Sequence, residues 1–154
     1  MSRRRLLVIW SYLSEILLAT LLTVLLCFLI EKSKLVEFIQ QSAIDFATLF
    51  CAIFFAGALG FLWTFYSKVD SKFYVWLDSV GASTVYLHAT VYTVFVEGAA
   101  TLFLTFVKYF KHESLALTGA FLFFLAFINS YTMIINVMNM MKLQIMHSRL
   151  NGSP

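Results

Sequence analysis

Three ionisable residues stand inside long apolar runs of this chain: Glu15, His88 and Glu97. In hydrocarbon such groups are costly, and they ordinarily face protein or enclosed water. A carboxyl placed there can bind a proton or a cation, or hold a fixed hydrogen bond. An imidazole can ligate haem. Asp45 reads differently. It falls in the first turn of an apolar run beginning near Ala43, where a carboxylate complements the positive end of a helix, so it is expected to be a cap.

The neighbours of these residues recur at helical spacing. Thr90, Thr93, Glu97, Thr101 and Thr105 follow one another in steps of three and four, which puts them on one helix face. His88 lies nine residues before Glu97, about half a turn out of phase, and shares its face with Tyr92 instead. Asn129, Thr132, Asn136 and Asn139 form a second polar stripe. Thr48, Ala52, Ala56, Gly60 and Thr64 repeat every four residues, the pattern of a small-residue groove that lets helices approach closely. Counted from the same side, Glu15 is nine residues in from Leu6, Tyr92 nine from Ser83 and Asn129 twelve from Met141. At about 1.5 Å per residue these three can meet at one level, while Glu97 lies deeper. Asn129 or a partner protein is the expected hydrogen-bond partner of Glu97.

Other chemistries find less support. Cys27 and Cys51 are isolated in apolar surroundings and lack the spacing of a redox pair. Met133, Met138, Met140, Met141 and Met146, with His147, suit Cu(I) by softness, but methionine also fills helix interfaces. His88 has no second histidine at matching depth for haem. No nucleophile–base arrangement or phosphate loop is present. The chain is therefore expected to be no enzyme and to carry no cofactor or metal.

The elements that must position these groups follow from composition. Of 154 residues, 61% are hydrophobic and 12% charged, with a mean hydropathy of +0.86. Soluble domains carry about twice that charge, and disordered chains are polar. Lipid is the expected solvent. Apolar runs over 6–30, 43–66, 83–107 and 115–141 each reach the roughly 20 residues that cross a bilayer core as helix. The expected fold is an all-α integral membrane protein, a single four-helix bundle. Val69, Phe73, Trp76, Leu77 and Val80 predict a short amphipathic interfacial helix over 68–80, with Gly81 as a bend. Leu35, Phe38 and Ile39 suggest a shorter version in the first loop. The sole proline is Pro154, so continuous helices are expected. Arg3, Arg4 and Arg5 precede the first run as in a signal peptide, but that run is long, contains Glu15 and ends in Glu31-Lys32-Ser33-Lys34, so it reads as a retained anchor.

Charge sets the expected orientation. Arg3, Arg4, Arg5, Lys68, Lys72, Lys142 and Arg149 lie on one side, and Lys32, Lys34, Lys108 and Lys111 on the other. Seven against four predicts both termini in the cytoplasm, with Trp10, Trp63 and Trp76 at the same ends. The expected site is a bacterial inner membrane. The net charge of +3 is explained by these flanks and implies no nucleic acid.

The stretch Ser14-Glu15-Ile16, in the first of four spans, resembles the small multidrug resistance transporters, where such a glutamate binds proton and drug. This chain is longer, has larger loops and lacks that family's glycine-rich face on span three. The layout is also similar to small membrane subunits of binding-protein-dependent transporters, without a shared motif. An excess of interfaces over catalytic parts leads to the main expectation: a non-enzymatic subunit or modulator that packs against a larger integral membrane protein or a second copy. A small proton- or cation-coupled transporter using Glu15 and Glu97 is the alternative, and a haem or redox subunit using His88 a third.

Overall fold

The computed structural model describes residues 3–151, and they are helical apart from short connections. Helix α1 spans Arg3–Leu29, α2 Lys32–Asp45, α3 Ala52–Ser67, α4 Lys72–Ser79, α5 Ser83–Phe110 and α6 Glu113–Asn151. A π-helical segment, Phe46–Cys51, joins α2 to α3 without a break. Four helical stretches are long and apolar enough to cross a membrane: Trp10–Leu29, Lys32–Ser67, Ser83–Phe110 and Glu113–Leu150. Helices α5 and α6 pack along one another at the centre. Helix α1 lies on α6, and α3 lies on α5.

The second long helix begins at Lys32, eleven residues before the expected 43. Leu35, Ile39, Ala43, Ala47 and Cys51 are all buried. Their four-residue steps explain both the early start and the π segment. In an α-helix such steps drift by about 40° each. A wider i→i+5 turn takes up the drift, so Ala47 and Cys51 remain on the face that Leu35 began. The amphipathic piece expected in the first loop is thus the start of this helix. Asp45 is no cap: it is an exposed residue in mid-helix, with no side-chain capping bond.

Helix α4 is shorter than the expected 68–80. Val69 lies before it and Val80 just after, and both are exposed. Its Phe73, Tyr74 and Leu77 are buried with Phe65 of α3 and Met140 of α6. The helix ends in a reciprocal pair of bonds, Ala82 N–H to the Leu77 carbonyl at 3.0 Å and Gly81 N–H to the Asp78 carbonyl at 2.8 Å. That closure needs a left-handed residue, and Gly81 supplies φ 69°.

Helix α6 continues ten residues beyond the expected end at Met141. Lys142, Gln144 and Arg149 favour helix, and neither glycine nor proline intervenes before Gly152. At 39 residues it is roughly 58 Å long, well beyond a bilayer core of about 30 Å. The extension meets α4, with the His147 ring 5.2 Å from Trp76 and 5.8 Å from Phe73. At the opposite end Lys32 and Glu113 form an ion pair. The first and third connections therefore share one end of the bundle, and α4 and the C-terminal turns of α6 share the other.

Candidate functional site

Glu15, Thr93 and Asn129 come together where α1, α5 and α6 meet, and Glu97 meets Ser130 between α5 and α6. Glu15 is 5% exposed and Glu97 fully buried. The Asn129 side-chain amide donates to Glu15 Oε2 at 3.0 Å. The Ser130 hydroxyl donates to Glu97 Oε1 at 2.6 Å. Successive residues of a helix point about 100° apart. One step of α6 thus serves two neighbours: Asn129 reaches α1, and Ser130 reaches α5.

The depth arithmetic brings Glu15 and Asn129 to the same level, and the structure joins them. Glu97 does not bond to Asn129. Its partner Ser130 stands outside the asparagine stripe and carried no distinguishing signal in the sequence, because serine is common in apolar helices. Ala100 of α5 and Ala116, Ala120 and Ala126 of α6 are all fully buried in the core. A Cβ on Gly119 would lie 2.9 Å from Val107 Cγ2. At so close an approach a short hydroxyl suffices. The Cys51 thiol also lies beside the Glu97 carboxyl.

The threonines of α5 do not bridge helices. Thr90, Thr93, Thr101 and Thr105 donate to the carbonyls of Tyr86, Ala89, Glu97 and Thr101, at 2.8–3.0 Å. Back-bonding of this kind satisfies a hydroxyl inside its own helix. Thr90 and Thr93 are buried, Thr101 and Thr105 half-buried. The Tyr92 ring packs on Tyr12, centroids 4.4 Å apart.

Three buried polar atoms have no hydrogen-bond partner among the described residues: Tyr92 OH, Glu97 Oε2 and Asn129 Oδ1. Each calls for a physical explanation, because buried polar atoms are ordinarily paired. Asn129 lines a pocket of about 240 Å³, together with Glu15, Thr93, Thr132, Asn136 and Ser11 among others. A larger apolar groove of about 1100 Å³ runs between α3, α4 and α5, past Trp63, Tyr66 and Tyr74.

The remaining sequence candidates lie apart. His88 is exposed on the outer side of α5. Thr48, Ala56 and Gly60 are exposed and Ala52 half-buried, so this stripe faces mostly away from the bundle. A Cβ on Gly57 or Gly60 would meet nothing within 4 Å. Cys27 is half-buried. Among the described residues no three His, Cys, Asp or Glu side chains come together as a metal site. Met140 is buried in the α4 cluster, while Met138, Met141 and Met146 are exposed.

What this arrangement can do is bounded by its parts: two enclosed carboxyls, a pocket with uncommitted acceptors and one outward face of small residues. Comparison of the chain with protein-family models, with curated proteins and with solved structures finds no match in any of the three.

Proposed function

We propose that the chain is a non-enzymatic, four-span membrane subunit or modulator that packs against a larger integral membrane protein, or against a second copy of itself. The observation that carries this reading is the outward stripe on the π segment and α3. Thr48, Ala56 and Gly60 stand exposed, and the space beside Gly57 and Gly60 is open. The stripe is chemically finished for contact with a helix. The hydroxyls of Thr48 and Thr64 are bound to the carbonyls of Ile44 and Gly60, so nothing polar is left seeking water. Association of helices in lipid relies on close packing between small residues, and large side chains on such a face would prevent it.

In this reading the large exposed side chains around the stripe, such as Leu49, Ile53 and Leu59, meet lipid or the flanks of the partner. The charge bias over the two ends supports an orientation with both termini in the cytoplasm of a bacterial inner membrane. Helix α4 then lies at the cytoplasmic interface, its Phe73 and Leu77 turned into the bundle and its Lys72 and Asp78 outward.

The test is isolation from native membranes in mild detergent, followed by measurement of the mass of the assembly. The wild-type chain is expected in a stoichiometric complex or homo-oligomer. Ala56→Leu is expected to release it while leaving its own unfolding temperature unchanged. A monodisperse monomer in both cases contradicts the proposal.

A further inference from the structure

We propose that the pocket between α1, α5 and α6 binds a monovalent alkali-metal cation, held by the Glu15 carboxylate and the Asn129 side-chain carbonyl. The argument rests on what the pocket offers, and it does not depend on a partner protein. Among the described residues the lining contains one carboxylate and no Lys, Arg or His. Beside the donors of Ser11, Tyr12 and Asn136 it holds several uncommitted acceptors. The Asn129 amide nitrogen is committed to Glu15 at 3.0 Å, which leaves Oδ1 as a buried acceptor without a donor. Asn129 is 3% exposed, so bulk water does not serve it. The hydroxyl hydrogens of Thr93 and Thr132 are spent on the carbonyls of Ala89 and Ile128, at 3.0 and 3.3 Å. Only their lone pairs remain for the pocket. Asn136 and Ser11 add further oxygens to the lining.

The described lining offers Glu15 no counter-charge and leaves Asn129 Oδ1 without a donor, and both are unfavourable in a buried site. A cation resolves both. All-oxygen donor sets suit hard ions, whereas transition metals favour imidazole or thiolate. A single carboxylate balances a single positive charge. At about 240 Å³ the pocket admits an ion together with several waters, each of which occupies about 30 Å³ in the liquid.

The experiment uses the full chain in detergent at constant ionic strength, with NaCl or KCl exchanged against N-methylglucamine chloride. Thermal unfolding is followed by tryptophan fluorescence. The wild type is expected to gain about 3 °C, saturably, with Na⁺ or K⁺ and not with the bulky organic cation. Glu15→Gln keeps the shape and the bond from Asn129 but removes the charge, and is expected to abolish the rise. Glu97→Gln, outside the pocket lining, is expected to retain it. Thr132→Val, which is isosteric and lacks one oxygen, should raise the half-saturating concentration several-fold. Absence of a rise in the wild type would mean that water alone fills the pocket, and would overturn the proposal. An equal rise with N-methylglucamine, or an undiminished rise in Glu15→Gln, would overturn it too. If Glu15→Gln fails to fold, an unchanged half-saturation in Thr132→Val would do the same.

Discussion

Two faces of this molecule carry the same sequence signature and are used in opposite ways. Where α5 and α6 meet, the contact is closed: a Cβ at Gly119 would come 2.9 Å from Val107 Cγ2, and Ala100 of α5 and Ala116, Ala120 and Ala126 of α6 are fully buried in the core. The outer face of the π segment and α3 is lined with Thr48, Ala52, Ala56 and Gly60, and it is open beside Gly57 and Gly60. Small residues at helical spacing allow close approach, but they do not say whose helix approaches. The seam is filled by the chain itself. The open face is left for something else, and the proposed subunit role rests on that difference.

One substitution placed on each face is the sharpest way to break the comparison. Gly119→Leu must displace Val107 and Leu104 in a packed seam, and we expect a loss of about 3 kcal/mol in unfolding free energy, measured in a denaturing detergent titration. Next comes the polar part of the same seam. Glu97→Leu leaves the Ser130 hydroxyl unpaired, at an expected cost of about 1–2 kcal/mol. Glu97→Gln retains an acceptor for Ser130 and should stay within about 0.5 kcal/mol of the wild type. A Leu variant as stable as the Gln variant would show that the buried contact contributes nothing.

A smaller effect is expected at the other end of the molecule. Gly81 holds φ 69°, and Gly81→Ala forces a side chain into left-handed backbone at a cost of about 1 kcal/mol. It should also loosen the packing of α4 on α6, read as faster hydrogen exchange at Leu77 and Ala82. Smallest of all is Gly60→Leu. With open space at its Cβ, the chain alone should be unchanged or slightly stabilised, because leucine favours helix over glycine by up to about 1 kcal/mol. A large destabilisation there would mean that the open face packs within the chain after all.

Much of the helical layout was legible in the sequence, because apolar runs of spanning length admit little except helix. Boundaries were less so. Hydropathy marks where a helix stops being apolar, whereas the helix itself stops where its backbone is interrupted. For that reason Lys32–Ser67 and Glu113–Asn151 both outrun their apolar stretches. The π segment is invisible to hydropathy, since it arises from keeping a four-residue burial pattern in register with α5. In the polar network, rise per residue was enough to set Glu15 level with Asn129. It could not choose between Asn129 and Ser130 for Glu97. That choice depends on which side of α6 faces α5 and on how closely the two approach, and neither is written in one helix alone.

The claim that the outer face of α3 meets another membrane protein is tested most directly by position-specific photo-crosslinking in native membranes. A photoreactive residue replaces Ala56 in one preparation and Leu21, on the exposed surface of α1, in another. We expect a discrete crosslinked protein species from position 56 and only lipid adducts from position 21. Lipid adducts alone from position 56, at full protein abundance, would contradict the account.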